Sequence, residues 1–182
     1  MIKKLFIPVL ALALLSCNQR KEAEANTSLV YFNIKGYFEK EISRLQKLNP
    51  TVNKTVSVNG TIESKSAKIA DWTKEFAIFV NADINKTSWK GSFKTTEKNG
   101  VAIYTSDHDK IPVKKVSITW RGREVGKIEI VIDNKNIVYR SQDTLTYFPD
   151  SLYSYKKQQK IRLLKDKKYA VIGILEKKMG PE

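Results

Sequence analysis

Apolar positions along the chain switch between helical and strand spacing, and the switches lay out the elements of a domain. In residues 29–48, LVYFNIKGYFEKEISRLQKL, Ile34, Phe38, Ile42 and Leu45 recur at steps of four, four and three. That spacing is one face of a helix, with Glu39, Lys40, Arg44 and Lys47 on the others. Gly36 is a weak point inside it. Asn49-Pro50 ends it, because a residue before proline avoids helical torsions. Residues 51–66 alternate instead: Val52, Val56 and Val58 lead to Asn59-Gly60, and Thr61-Ile62 follow. Asn-Gly between β-formers predicts a hairpin, since both residues tolerate positive φ.

A second helical stretch lies in ADWTKEFAIFVNADINK. Asp71 is its N-cap candidate, and Trp72, Phe76, Phe79, Val80 and Ile84 form a bulky apolar face. From Ser88 onward the pattern is β. Trp89–Thr96 and Val101–Ser106 flank Asn99-Gly100, and Val116, Ile118 and Trp120 share one side of Val113–Trp120. Lys127–Ile132 and Ile137–Arg140 flank a polar turn at Asp133–Asn136, and Pro149 breaks the run at Tyr147–Asp150. Leu152–Leu164 and Tyr169–Leu175 close the series across Lys165–Lys168. No crossover helix lies between these strands, which favours antiparallel pairing. The expected fold is α+β: a curved antiparallel meander of about seven strands packed against two N-terminal amphipathic helices.

Such an apolar face either packs as core against the sheet or lines a cavity for a ligand. In the second case Trp72, Phe76, Phe79 and Val80 are the candidate ligand-binding residues.

The first residues, MIKKLFIPVLALALLSC, set an address. Lys3 and Lys4 precede the uncharged run Leu5–Leu15, which reads as a secretory signal and is shorter than the ~20 apolar residues that span a bilayer. Leu14-Leu15-Ser16-Cys17 resembles the bacterial lipobox. The resemblance implies that residues 1–16 are a lipoprotein signal peptide, that Cys17 Sγ takes a diacylglyceryl group, and that palmitate or a similar acyl chain anchors the protein. Residues 17–28 then hold the lipidated cysteine and a flexible tether, and residues 29–178 form a single globular domain. Lys21-Glu22-Ala23-Glu24 is similar to the charged export signals of Bacteroidota surface lipoproteins. Cys17 is the chain's one cysteine, so the domain contains no disulfide and is held by its core.

The formal charge is +14, and without residues 1–16, which carry Lys3 and Lys4 and no acid, it is +12. A basic body on a membrane attracts anionic headgroups and acidic polymers, with little specificity. An exported chain without stacking-aromatic motifs is not expected to bind nucleic acid.

Three stretches, GYFEKEISRLQKLNPTVNKTV, DWTKEFAIFVNADINK and LYSYKKQQKIRLLKDKKYAVIG, resemble an uncharacterised Bacteroidota lipoprotein family. In shape alone, a curved antiparallel sheet around helices resembles the half-barrel carriers and receptors of the Lol pathway. Asp143-Thr144-Leu145 and Asp150-Ser151-Leu152 resemble Bacteroidota O-glycosylation sites, with Thr144 and Ser151 as acceptors. As turn residues they need no such role.

Catalytic constellations are few. His108 is the lone histidine, which excludes metal sites built on several histidines. Lipid occupies Cys17, and there is no Gly-x-Ser-x-Gly elbow or phosphate-cradling glycine loop. Asp71, Glu75, Asp83, Glu124 and Glu129 remain for a carboxylate-dependent hydrolase, which needs two carboxylates facing each other at ~5–10 Å. The expectation is a non-enzymatic lipoprotein of the bacterial cell envelope, at the outer membrane, without cofactor or metal. Its partners are the membrane, through lipid on Cys17, and a lipid, another lipoprotein or an anionic polymer. The alternatives are a structural subunit of an envelope or surface complex and the carboxylate hydrolase.

Overall fold

The structure is a computed structural model that describes residues 29–176. The expected signal peptide, Cys17, the tether and residues 177–178 lie outside the described residues. Helix α1 spans Ile34–Leu48, followed by β1 (Thr51–Val58) and β2 (Thr61–Lys68). Helix α2 spans Trp72–Asn81, and a 3-10 turn at Thr87–Trp89 leads to β3 (Lys94–Lys98) and β4 (Val101–Thr105). The remainder is β5 (Val113–Arg121), β6 (Glu124–Lys135), β7 (Tyr139–Phe148), β8 (Leu152–Ile161) and β9 (Lys167–Leu175).

Local chemistry explains where these elements start and stop. Asn33 Oδ1 accepts from Gly36 N at 2.8 Å and caps α1. Its other end turns on Asn49, left-handed at φ 44°, just before Pro50. Asp71 Oδ1 accepts from Lys74 N at 3.0 Å and caps α2. Both Asn-Gly pairs take positive φ, as their hairpins require: Asn59 51°, Gly60 97°, Asn99 52° and Gly100 71°.

The strands form one open antiparallel sheet of nine, in the order β2-β1-β9-β8-β7-β6-β5-β4-β3. Two expectations are corrected here. The meander of seven is β3 to β9, and the first hairpin adds two further strands because β1 pairs with β9 from Val52↔Leu175 to Val58↔Tyr169. The helices also do not both precede the sheet, since α2 carries the chain from edge strand β2 to the opposite edge strand β3. That pairing joins residues more than a hundred positions apart, and no local periodicity encodes it. Boundaries move too: Trp89 lies in the 3-10 turn, and β7 runs on through Phe148, so Pro149 ends a longer strand than expected. Among the described residues neither edge strand has a further partner, and exposed Lys65, Lys68, Lys94 and Lys98 make them poor templates for another strand.

Both helices cover the same, inner face. Cross-strand register sets rows on that face, one of them Lys54, Gly173, Tyr153, Tyr147, Ile128, Ile118 and Ala102. Phe38 of α1 and Trp72, Phe76 and Phe79 of α2 pack on this row, with Phe76 5.4 Å from the rings of both Tyr147 and Tyr153. Burying each such ring contributes about 1.5–3 kcal/mol, and edge-to-face pairs add about 0.5–1.5 kcal/mol.

Candidate functional site

Two carboxylates clamp the helices to the sheet. On α1, Glu41 accepts from the Tyr147 hydroxyl and from Arg44 Nε and Nη2 at 2.9 and 2.8 Å, and Arg44 Nη1 reaches Asp150 at 2.7 Å. On α2, Glu75 accepts from the Tyr153 hydroxyl and from Lys54 Nζ, each at 2.7 Å. Burial first, and then the facing carboxylate, push both tyrosine hydroxyls well above the usual phenol range, so they stay protonated donors. With α1 and α2 held there, the rows that they cover have no room for a ligand.

The expected ligand-binding residues lie in that covered zone. Trp72, Phe76 and Phe79 are at most 1% exposed, and rings from both layers fill the space in front of them. Val80 is half-buried against the same cluster. These side chains are packed as core.

Beyond α2, two rows on the same face are left uncovered. One row runs Val56, Val171, Tyr155, Leu145 and Ile130, and the next runs Val58, Tyr169, Lys157, Asp143 and Ile132. Over β1, β9 and β8 these rows line an open groove of about 400 Å³, walled by Val56, Val58, Tyr155, Lys157, Tyr169 and Val171. Val56 is 37% and Val58 41% exposed, which is high for valines on a helix-facing row. A separate groove, of about 370 Å³, lies between the end of α2 and β5–β7, lined by Ile78, Asn81, Trp89, Ile132, Asn134 and Asp143.

Asp143 lines this second groove and touches Lys157 of the first. Its Oδ2 accepts from the Tyr155 hydroxyl at 3.4 Å and lies 3.9 Å from Lys157 Nζ, while buried Oδ1 has no partner among the described residues. Burial pushes the carboxyl up, against the downward pull of Lys157, Ser141 and Tyr155. The groove thus offers apolar and aromatic walls with a cation and a poorly solvated carboxyl at one end.

The other expected residues are dispersed. Asp71 caps α2, Glu75 serves the Tyr153 clamp, and Glu129 accepts from Lys127 at 2.7 Å. Asp83 Oδ1 accepts from Asn85 N at 3.2 Å, and exposed Glu124 opens β6. His108 Nδ1 accepts from Lys110 N at 3.3 Å in the turn before β5, and among the described residues no three His, Cys, Asp or Glu gather at one point. Thr144 lies half-buried within β7 and Ser151 is exposed in the β7–β8 turn. No helix of the described residues is long and apolar enough to cross a membrane.

Val56, Val58, Tyr155, Tyr169 and Val171 escape sequence reasoning because strand alternation places them on the helix-facing side, where core is the default expectation. Only the position of α2 leaves them uncovered. Comparison with protein families, with curated proteins and with solved structures finds no match to this chain.

Proposed function

We propose that this chain is a non-enzymatic envelope lipoprotein, anchored through acyl chains on Cys17, whose domain binds an anionic amphiphile along the uncovered rows beside α2. The observation that carries the reading is the exposure of Val56 and Val58 in a groove that ends at Lys157. Apolar side chains on an otherwise covered face favour an acyl chain or similar tail. The net charge of +14 favours a negative head, Lys157 itself being shared with Asp143 at 3.9 Å. The lipobox-like run at Leu14–Cys17 supports the anchor.

Two measurements test the two halves separately. Labelled palmitate is expected in the wild-type protein and not in Cys17→Ser; its absence from both removes the anchor. Titration with parinaric acid, a fluorescent fatty acid, is expected to give saturable enhancement that falls at least about tenfold in affinity in Val56→Glu. Non-saturable enhancement, or equal affinity in the variant, removes the groove reading.

A further inference from the structure

Three hairpin turns meet at one end of the sheet. The β8–β9 turn is tied to the β6–β7 turn by Arg162 N donating to Val138 O at 2.9 Å. The β1–β2 turn is tied to the start of β9 by Asn59 N donating to Lys168 O at 2.8 Å and Lys168 N to Asn59 Oδ1 at 2.9 Å. Two of the three tips are apolar where turns are ordinarily polar: Ile137 is 87% exposed and Val138 61% in the β6–β7 turn, and Leu163 96% and Leu164 64% in the β8–β9 turn, while the β1–β2 tip is Asn59-Gly60. Leu163 also has φ 68°, in the left-handed region that favours glycine or asparagine. Neither the turn's geometry nor the core of the described residues requires leucine there.

Lys135, Lys160, Arg162, Lys165, Lys167 and Lys168 surround the tips, all exposed, against Asp166, Arg140 being paired with Asp133 at 2.6 Å; the β4–β5 connection at the same end of the sheet adds Asp109 and Asp107, the latter paired with Lys94 at 3.3 Å. Aliphatic tips inside a ring of cations match a bilayer with an anionic surface: apolar side chains enter the acyl boundary while lysines and arginines stay at the phosphates. A second protein does not need this pattern, since interface cores are depleted of lysine.

We propose that these turn tips dock on an anionic lipid bilayer, with Ile137, Val138, Leu163 and Leu164 inserted and the surrounding cations on the headgroups. Val58 on the neighbouring strand belongs both to this end of the sheet and to the groove, so the docked domain brings the groove's mouth close to the membrane surface. The docking concerns the envelope partner proposed above but needs neither the acyl anchor nor occupancy of the groove.

The test uses residues 17–182 with Cys17→Ser, which leaves out the apolar run Leu5–Leu15 and removes the one native thiol. A cysteine replacing Leu163 carries an environment-sensitive fluorophore. A second replaces exposed Arg123, in the turn at the opposite end of β6. With phosphatidylcholine vesicles containing phosphatidylglycerol, the label at 163 is expected to shift to the blue and be quenched by nitroxide lipids, and the label at 123 to do neither. Salt and pure phosphatidylcholine are expected to weaken the response at 163. Equal spectra at both positions, or no quenching at 163, overturn the proposal. The Ile137→Ser/Leu163→Ser variant, whose changes are fully solvent-facing, is expected to lose at least about tenfold in vesicle partitioning relative to its Cys17→Ser parent; unchanged partitioning also overturns it. Palmitate labelling of the wild type is read separately, so failure of the anchor and failure of the docking are distinguishable.

Discussion

Gly173 on β9 lies directly beneath the ring of Tyr153 on β8, so close that a β-carbon at 173 would overlap the ring. Its backbone is ordinary for a strand; the constraint is space. The ring lies on β9 because its hydroxyl donates to Glu75 on α2 at 2.7 Å, and the missing side chain lets it lie flat enough to do so. Gly173→Ala is expected to displace the ring and cost about 1–3 kcal/mol as overpacking. Urea unfolding checks this, and an unchanged midpoint would show that the strands adjust freely.

The link from Glu75 to Tyr153 is expected to be coupled. Glu75 is held by both Tyr153 and Lys54, so removing it leaves a half-buried cation and a buried hydroxyl without a partner. A double-mutant cycle of Tyr153→Phe with Glu75→Ala is expected to return a coupling of about 1.5–3 kcal/mol, as for a hydrogen bond to a charged group. Additive effects would show that the clamp contributes nothing as a pair.

Phe76 contacts Phe38, Trp72, Phe79, Tyr147 and Tyr153 at ring distances of 5.3–5.5 Å. Phe76→Ala is expected to cost about 3–5 kcal/mol, the range for emptying an aromatic site in a packed core. If Phe76 instead lined a ligand space, the loss of stability would be small and the loss of binding large. Denaturant titration beside parinaric acid titration separates the two.

Asp143 carries a pH dependence of definite sign. Burial raises its folded pKa above the unfolded value, so between the two the native state holds the extra proton. Its contribution to stability is then greatest below the unfolded pKa and declines as pH rises through the folded one. Lys157, Tyr155 and Ser141 limit the shift without reversing it. Asp133 and Asp71 have lowered values and act the other way, losing stability as pH falls. Comparing Asp143→Asn with wild type cancels those contributions. The variant is expected to gain on wild type as pH rises from the acid range to neutrality, followed through urea midpoints; a gain in the opposite direction would contradict burial as the dominant cause.

Both helices, both Asn-Gly hairpins, the Asp71 cap and the antiparallel character of the strands were legible in the chain, because each rests on neighbours a few residues apart. The apolar stripe Ile34, Phe38, Leu45 and the face Trp72, Phe76, Phe79 were equally legible as buried surfaces. Whether the second face met protein or ligand was not, since periodicity reports that a side chain avoids water and is silent on what it meets instead. The exposed leucines at 163 and 164 stood in plain view, but adjacent apolar residues near a turn carry no message until their exposure is known.

Taken alone, the order of residues determined local conformation, the sign of the net charge and the lone cysteine beside a lipobox-like run, all of which are properties of short segments or of simple counts. Tertiary structure decided that β1 closes on β9, that α2 crosses from one edge of the sheet to the other, and therefore which part of the inner face stays open beside Val56 and Val58. It also brought the two apolar turn tips at Ile137–Val138 and Leu163–Leu164 together among exposed cations. Those outcomes depend on which distant surfaces exclude water together, and that is a property of the whole chain packed at once.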